Sequence, residues 1–320
     1  MAPTEVLMIL GFLLAAYSII ANDAIQTLGT FLASNRHRPW WVLWLFAGSV
    51  LSVVVIYGWV SSGGDPAYGR LEKFPEPEGG ITWIHVIPPL AILFLTRWGI
   101  PVSTTFLVLA IFNPENIGQM LIKSGGGYLV AFFVAIIVYR FVISKTTEYF
   151  DQTSEDPTPA YWVFLQWSAT AFLWSQWLIQ DLANIFVYLP RTIDLTSMLL
   201  ALAFMVGLLG IVFFQFGGAI QKIVTSKTGT ADIRAATIID FMYAIILLIF
   251  KEWSNMPMST TWVFLGLLAG RQLAISLHMY LPSLRDSAHL VYTDILKAGF
   301  GLVVSLVLAF GLPPLYAVLS

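Results

Sequence analysis

The sequence predicts an all-α integral membrane protein. About ten transmembrane segments are expected, in two inverted five-segment repeats with discontinuous or re-entrant helices. Two observations carry this. The chain is 58% hydrophobic and only 11% charged over 320 residues, where typical soluble domains carry about 25% charge. Two short polar motifs also recur in the same order. Ala21-Asn22-Asp23-Ala24-Ile25-Gln26 is matched by Ile179-Gln180-Asp181-Leu182-Ala183-Asn184, with Asp23 and Asp181 158 positions apart. Pro101-Val102-Ser103-Thr104-Thr105 is matched by Pro257-Met258-Ser259-Thr260-Thr261, with Ser103 and Ser259 156 apart. Two motifs with offsets agreeing within two residues argue for a duplicated unit.

Each element follows from length and punctuation. Polar stretches fall at 34–40, 61–80, 144–160, 190–194, 221–234 and 281–287. The apolar runs between them include Val42 to Val60, Leu195 to Phe214 and Ala288 to Leu312, each near the ~20 residues that cross a bilayer. No Lys or Arg precedes Arg36, so residues 5–20 read as a membrane helix rather than a cleaved leader. The organisation expected is a first membrane repeat over 1–143, a polar connecting loop over 144–160, and a second, inverted repeat over 161–320. The setting is a multi-pass location in the cell (inner or plasma) membrane.

Charge gives the orientation through the excess of Lys and Arg in cytoplasmic loops. Arg36 and Arg38, then Lys222, Lys227 and Arg234, belong inside, and the 61–80 loop fits outside with both termini. The helices before the two Ser-Thr-Thr motifs then point in opposite directions, as inversion requires. Arg191 falls on the outer side, against this rule. A net charge of −2 offers no footprint for nucleic acid, and the absence of cysteine excludes thiolate chemistry.

The Asp motifs are costly where they stand. A carboxylate in a membrane segment costs at least ~2.5–3.5 kcal/mol, so it normally faces a partner or a cavity. On a helix Asn22 and Gln26 share one face. Asp23 and Asp181, with Asn22, Gln26, Gln180 and Asn184, form an oxygen set suited to a hard cation such as Na⁺, and protonation of the acids is an equal alternative. A single such Asp reads equally well as a helix cap; the duplication favours a site.

The Pro-x-Ser-Thr-Thr motifs read as helix starts. Inside a membrane, such a start presents unpaired N–H groups and positive dipole to an anion. Ser103, Thr104, Thr105, Ser259, Thr260 and Thr261 are the candidate anion ligands, with Asn22 and Gln180 shaping the site. Asp240, 17 residues before Pro257, and His85, 16 before Pro101, are a candidate divergent pair on the pathway, Asp240 being assigned to the coupling ion. The run Gly125-Gly126-Gly127 marks close helix packing. Trp40, Trp41, Tyr57, Trp59, Tyr161 and Trp162 fit an interfacial belt, and Trp167, Trp174 and Trp177 fit packing or lipid contact.

These residues resemble the inorganic phosphate transporter (PiT) family, as a divergent bacterial-type member. The family pattern is Gly-Ala/Ser-Asn-Asp-Val-Ala-Asn in each half, followed by Pro-Val-Ser-Thr-Thr-His. Ala21-Asn22-Asp23 with Gly29-Thr30 is similar to the first copy, and Asp181-Leu182-Ala183-Asn184 to the second. Pro101–Thr105 and Pro257–Thr261, the latter followed by Gly266 and Gly270, match the downstream element. The stretch from Gly217 to Thr237, with Lys222, Thr225 and Thr228, is also similar. Departures are Ile20, Gln26 and Gln180 at family Gly and Asn positions, and Phe106 and Trp262 where His follows Ser-Thr-Thr.

The resemblance implies no enzyme but a secondary active transporter: cation-coupled symport of inorganic phosphate, with Na⁺ or H⁺ as coupling ion and no organic cofactor. Asp23 and Asp181 would bind Na⁺ if sodium is the driver. Symport of another oxyanion such as sulfate is the alternative. Expected partners are the oxyanion, the cation, the lipid bilayer and, as an open option, a second copy in a homodimer. An intramembrane enzyme of prenyltransferase type would need a second acid after Asn22-Asp23, where Gln26 and Thr27 stand.

Overall fold

The computed structural model describes residues 2–98, 100, 102–143, 153, 159–216, 233–279 and 284–319; the side chains of Asn22, Ile25, Ile143, Leu290, 278–279 and 284–287 are not described. Pro101, most of the 144–160 connection and the stretch from Gly217 to Ala231, with Lys222, Thr225, Lys227 and Thr228, therefore lie outside the described residues.

Ten α-helices run through the described residues. They are α1 (Pro3–Ser34), α2 (Trp40–Ser61), α3 (Trp83–Arg97), α4 (Thr104–Phe112), α5 (Ile117–Val138), α6 (Ala160–Phe186), α7 (Leu195–Phe214), α8 (Ile233–Trp253), α9 (Thr260–Met279) and α10 (Leu284–Leu319). Seven are long and apolar enough to cross a membrane: α1, α2, α5, α7, α8, α9 and α10. Three expected crossings fall short. α3 has 15 residues and α4 only nine, while α6 is long but carries too many polar side chains. The chain is a multi-pass membrane protein.

Local chemistry sets the boundaries. Pro3 opens α1, where its missing N–H costs nothing, and the Glu5 carboxylate accepts from the Ala2 amide at 2.9 Å. Asp194 caps α7 by accepting from Ser197 N at 2.8 Å. α3 holds Pro88 and Pro89 in its interior. Pro89 has no N–H for the carbonyl of His85, four residues back. The Tyr188 hydroxyl supplies the missing donor at 2.9 Å.

Helix pairing follows a regular scheme. α1 contacts α3 as α6 contacts α8, α4 contacts α10 as α9 contacts α5, and α1–α6 and α2–α7 meet directly. The α5–α9 contact is the closest because α9 offers glycine. A methyl group on Gly266 or Gly270 would run into the carbonyl oxygens of Tyr128 and Phe132 on α5. In a bilayer, such small-residue seams replace the hydrophobic effect that drives helices together in water. Gly127, within the Gly125–Gly127 run, faces Met258 and Val263 across the same seam.

The Asp motifs lie inside unbroken helices, Asp23 in α1 and Asp181 in α6. Breaks fall at the Ser-Thr-Thr motifs, between α3 and α4 and between α8 and α9. Trp174 and Trp177 stack at 4.9 Å and are buried, so they pack the interior.

Candidate functional site

α1, α4, α6 and α9 converge on Asp23 and Asp181, both with no solvent exposure. On α1, Gln26 donates from Nε2 to Asp23 Oδ1 at 3.1 Å. On α6, Asn184 donates from Nδ2 to Asp181 Oδ1 at 2.6 Å. Both are i, i+3 pairs, the spacing at which helical side chains stand one above the other.

The starts of α4 and α9 supply the hydroxyls. Thr104 donates from Oγ1 to Asp23 Oδ2 at 2.7 Å, and Thr260 to Asp181 Oδ2 at 2.8 Å. Thr105 Oγ1 lies 3.3 Å from Asp181 Oδ1. Asn184 Nδ2 is also 3.3 Å from Thr104 Oγ1 and 3.2 Å from Thr105 Oγ1, which joins the two carboxylates into one network. Both acids and both Thr-Thr pairs are thus in one buried cluster.

The serines act differently. Ser103 Oγ accepts from Phe106 N, and Ser259 Oγ from Trp262 N, each at 3.2 Å. They are N-caps, and each satisfies one free amide of its own helix start. The Ser259 amide itself donates to Ser124 Oγ at 2.8 Å. Thr261 donates to the carbonyl of Val102 at 3.3 Å.

Three amide oxygens complete the set. Gln26 Oε1, Gln180 Oε1 and Asn184 Oδ1 are buried without a hydrogen-bond partner. Gln180 meets only the Leu247 carbonyl, through Nε2 at 3.4 Å. Buried polar atoms are nearly always paired, so unpaired acceptors at one place call for an explanation. Gln26 and Asn184 bond the two carboxylates directly, so their oxygens and the acids form an all-oxygen set of the kind that suits a hard cation.

Other candidates stand elsewhere. Asp240 makes no hydrogen bond to either motif. It accepts instead from Thr30 on α1 at 2.6 Å and Thr170 on α6 at 2.7 Å. Ser34, Asn35 and Gln166 form a further hydrogen-bonded group of α1 and α6, toward the α1 C-terminus. His85 accepts from Thr82 N through Nδ1 at 3.1 Å and lies tilted against Phe112, ring centres 5.0 Å apart, which makes it part of the α3 start. It is not paired with Asp240.

Sequence reasoning missed Arg70. It lies in the 62–82 connection, yet is 1% exposed. Nε donates to the Ile179 carbonyl at 2.7 Å and Nη1 to the Asn255 carbonyl at 3.2 Å, so it pins the approach to both second-half motifs. Burial pulls its pKa down to about 10, opposed by the attraction of Asp181, Glu252 and Asp65. Nothing in a polar loop marks one arginine as buried. Lys123 was missed as well, although its signal was there: a lysine inside the apolar run of α5 is costly. Its Nζ donates to the carbonyls of Ser254 at 2.8 Å and Met256 at 2.6 Å.

Buried acids beside paired helix breaks at membrane depth are features found in many secondary transporters. No protein-family model matches the chain, and no curated protein matches it. Among solved structures the chain is similar to one described as "The sodium-dependent phosphate transporter". The TM-score is 0.57 at 17% identity, with 96% of this chain and 99% of that one covered. The likeness is one of fold over nearly the whole of both chains.

Proposed function

We propose that this protein is a secondary active transporter that couples Na⁺ or H⁺ to symport of inorganic phosphate, with sulfate as the alternative oxyanion. One observation carries the reading: two fully buried carboxylates share a network with threonines from two helix starts and lie among unpartnered amide oxygens. The name of the structural neighbour supports phosphate and favours sodium as the coupling ion.

The network suggests how coupling works. A threonine hydroxyl has one proton to give. Thr104, Thr105 and Thr260 give theirs to Asp23, Asp181 or a carbonyl while no cation neutralises the acids. Cation or proton binding to the carboxylates weakens that demand and frees the hydroxyls to donate to an anion. The cation also offsets the cost of bringing an anion into the membrane. Each ion then promotes binding of the other, as linkage requires. Asn22, Gln26, Gln180 and Asn184 shape this shared site, and Asp240 takes a coupling ion one layer away, with Thr30 and Thr170.

The paired helix contacts support two inverted repeats, over 1–143 and 161–320, that rock about the site. In this arrangement the 62–82 connection faces outward and the end of α1 inward. The test is uptake of radiolabelled phosphate or sulfate by proteoliposomes under imposed Na⁺ or H⁺ gradients. Faster uptake under one gradient is the expected result; no response of either anion to either gradient sinks the proposal.

A further inference from the structure

Arg70 and Lys123 are buried cations whose role the coupling network does not explain. They are 1% and 3% exposed. Both bond to backbone carbonyls, Arg70 to those of Ile179 and Asn255 and Lys123 to those of Ser254 and Met256. Among the described residues neither forms an ion pair with a carboxylate; Glu252, two residues before Ser254, pairs instead with Lys251 at 2.9 Å. The two cations are close enough for the Arg70 charge to act on Lys123. Carbonyl dipoles offset only part of a buried charge, and Asp181, Glu252 and Asp65 attract Arg70 without pairing with it, so a local positive field remains at Lys123. That field borders residues 254–256, which lead directly into Pro257-Met258-Ser259 and the start of α9.

A cavity of about 190 Å³ opens at this point, lined by Gln119, Ile122, Lys123, Trp253, Ser254 and Met256. One water occupies ~30 Å³ in the liquid, so the cavity has room for a small hydrated anion. Lys123 spends two of its three ammonium protons on carbonyls and keeps a third.

We propose that Lys123, reinforced by Arg70 behind it, forms a separate docking subsite for a tetrahedral oxyanion outside the coupling network. The occupant is either free phosphate held before it reaches Ser259–Thr261 or the phosphate of a lipid headgroup seated beside Trp253. The first source rests on the transport function proposed above; the second does not.

The test compares the wild-type chain with Lys123→Gln and Lys123→Arg. In phosphatidylcholine liposomes, Lys123→Gln is expected to raise the KM for phosphate about tenfold while kcat changes less than about twofold, and Lys123→Arg to restore most of the affinity. In detergent, the rise in unfolding temperature with added inorganic phosphate is expected to need several-fold more phosphate in Lys123→Gln. Retention of phosphatidylglycerol is read in parallel by native mass spectrometry. A KM or phosphate-stabilisation shift assigns free phosphate, whereas lipid retention lost in Lys123→Gln with the phosphate responses unchanged assigns the headgroup. If kcat alone falls, or if all three readouts match the wild type, the subsite does not exist and Lys123 only braces the 254–256 turn. Wild-type protein that moves no phosphate under any gradient refutes the transport proposal. The two binding readouts still decide the subsite in that case.

Discussion

Thr105 and Thr261 each reach across to the other's helix start. Thr105 donates to the carbonyl of Met258 at 3.1 Å, and Thr261 to the carbonyl of Val102 at 3.3 Å. The residues involved exchange places between the two Pro-x-Ser-Thr-Thr motifs, so each hairpin tip is tied to its counterpart by an equivalent bond. Beside these ties, Thr104 donates to Asp23 and Thr260 to Asp181.

Asp23→Asn and Asp181→Asn each keep the size of the side chain and remove its charge. Gradient-driven uptake is expected to fall at least about tenfold in each, equivalent to ~1.4 kcal/mol, because a neutral amide cannot attract the coupling cation. The check is initial uptake by proteoliposomes containing matched amounts of folded protein. Wild-type rates in both variants would remove the acids from the mechanism.

Thr260→Val preserves the shape of its residue but leaves Asp181 Oδ2 without the hydroxyl that now donates at 2.8 Å. Leaving a buried acceptor unpaired costs about 1–3 kcal/mol. A lower unfolding temperature without sodium is expected, with part of the loss recovered as sodium is added. A variant with wild-type stability would show that this bond is not needed to hold the carboxylate.

Gly270→Ala and Gly126→Ala are opposite cases, the first on the α5–α9 seam and the second where α5 faces α8. A methyl at Gly270 meets the backbone oxygen of Phe132, which cannot move aside, so α5 and α9 must separate. A methyl at Gly126 comes no nearer than 3.5 Å to Phe250, an ordinary contact. Overpacking typically costs about 1–3 kcal/mol, so Gly270→Ala should yield markedly less monodisperse protein on size exclusion, and Gly126→Ala near wild-type amounts. Equal yields would contradict the seam.

Tyr188→Phe removes the donor that serves the His85 carbonyl above Pro89. An unpaired carbonyl at this depth should cost about 1–3 kcal/mol, read as a drop in thermal stability. Wild-type stability in Tyr188→Phe would show that this carbonyl needs no donor.

Much of the site was legible without coordinates. A carboxylate is so costly in a membrane that Asp23 and Asp181 had to be partnered, and their repetition with the Ser-Thr-Thr motifs marked one place in the fold. The roles within that place were less legible. Ser103 and Ser259 cap their helices, whereas the neighbouring threonines reach the acids. The same residue type serves either purpose, and only the direction in which it points decides. Asp240 was flagged by its cost, but its partners Thr30 and Thr170 come from helices distant in sequence. Ten crossings were expected on length, which does not separate a full span from a nine-residue half-helix.

The sequence by itself determined a membrane protein with a repeated motif pair and buried acids, because burial of charge in hydrocarbon has a local cost that no fold removes. Tertiary structure alone decided which donors meet those acids, that Arg70 dives from a polar connection into the interior, and that the amide oxygens of Gln26 and Asn184 are left without a hydrogen bond beside them. Those outcomes depend on how helices far apart in the chain come together, and pairings of that kind leave no trace in the spacing of residues along any one of them.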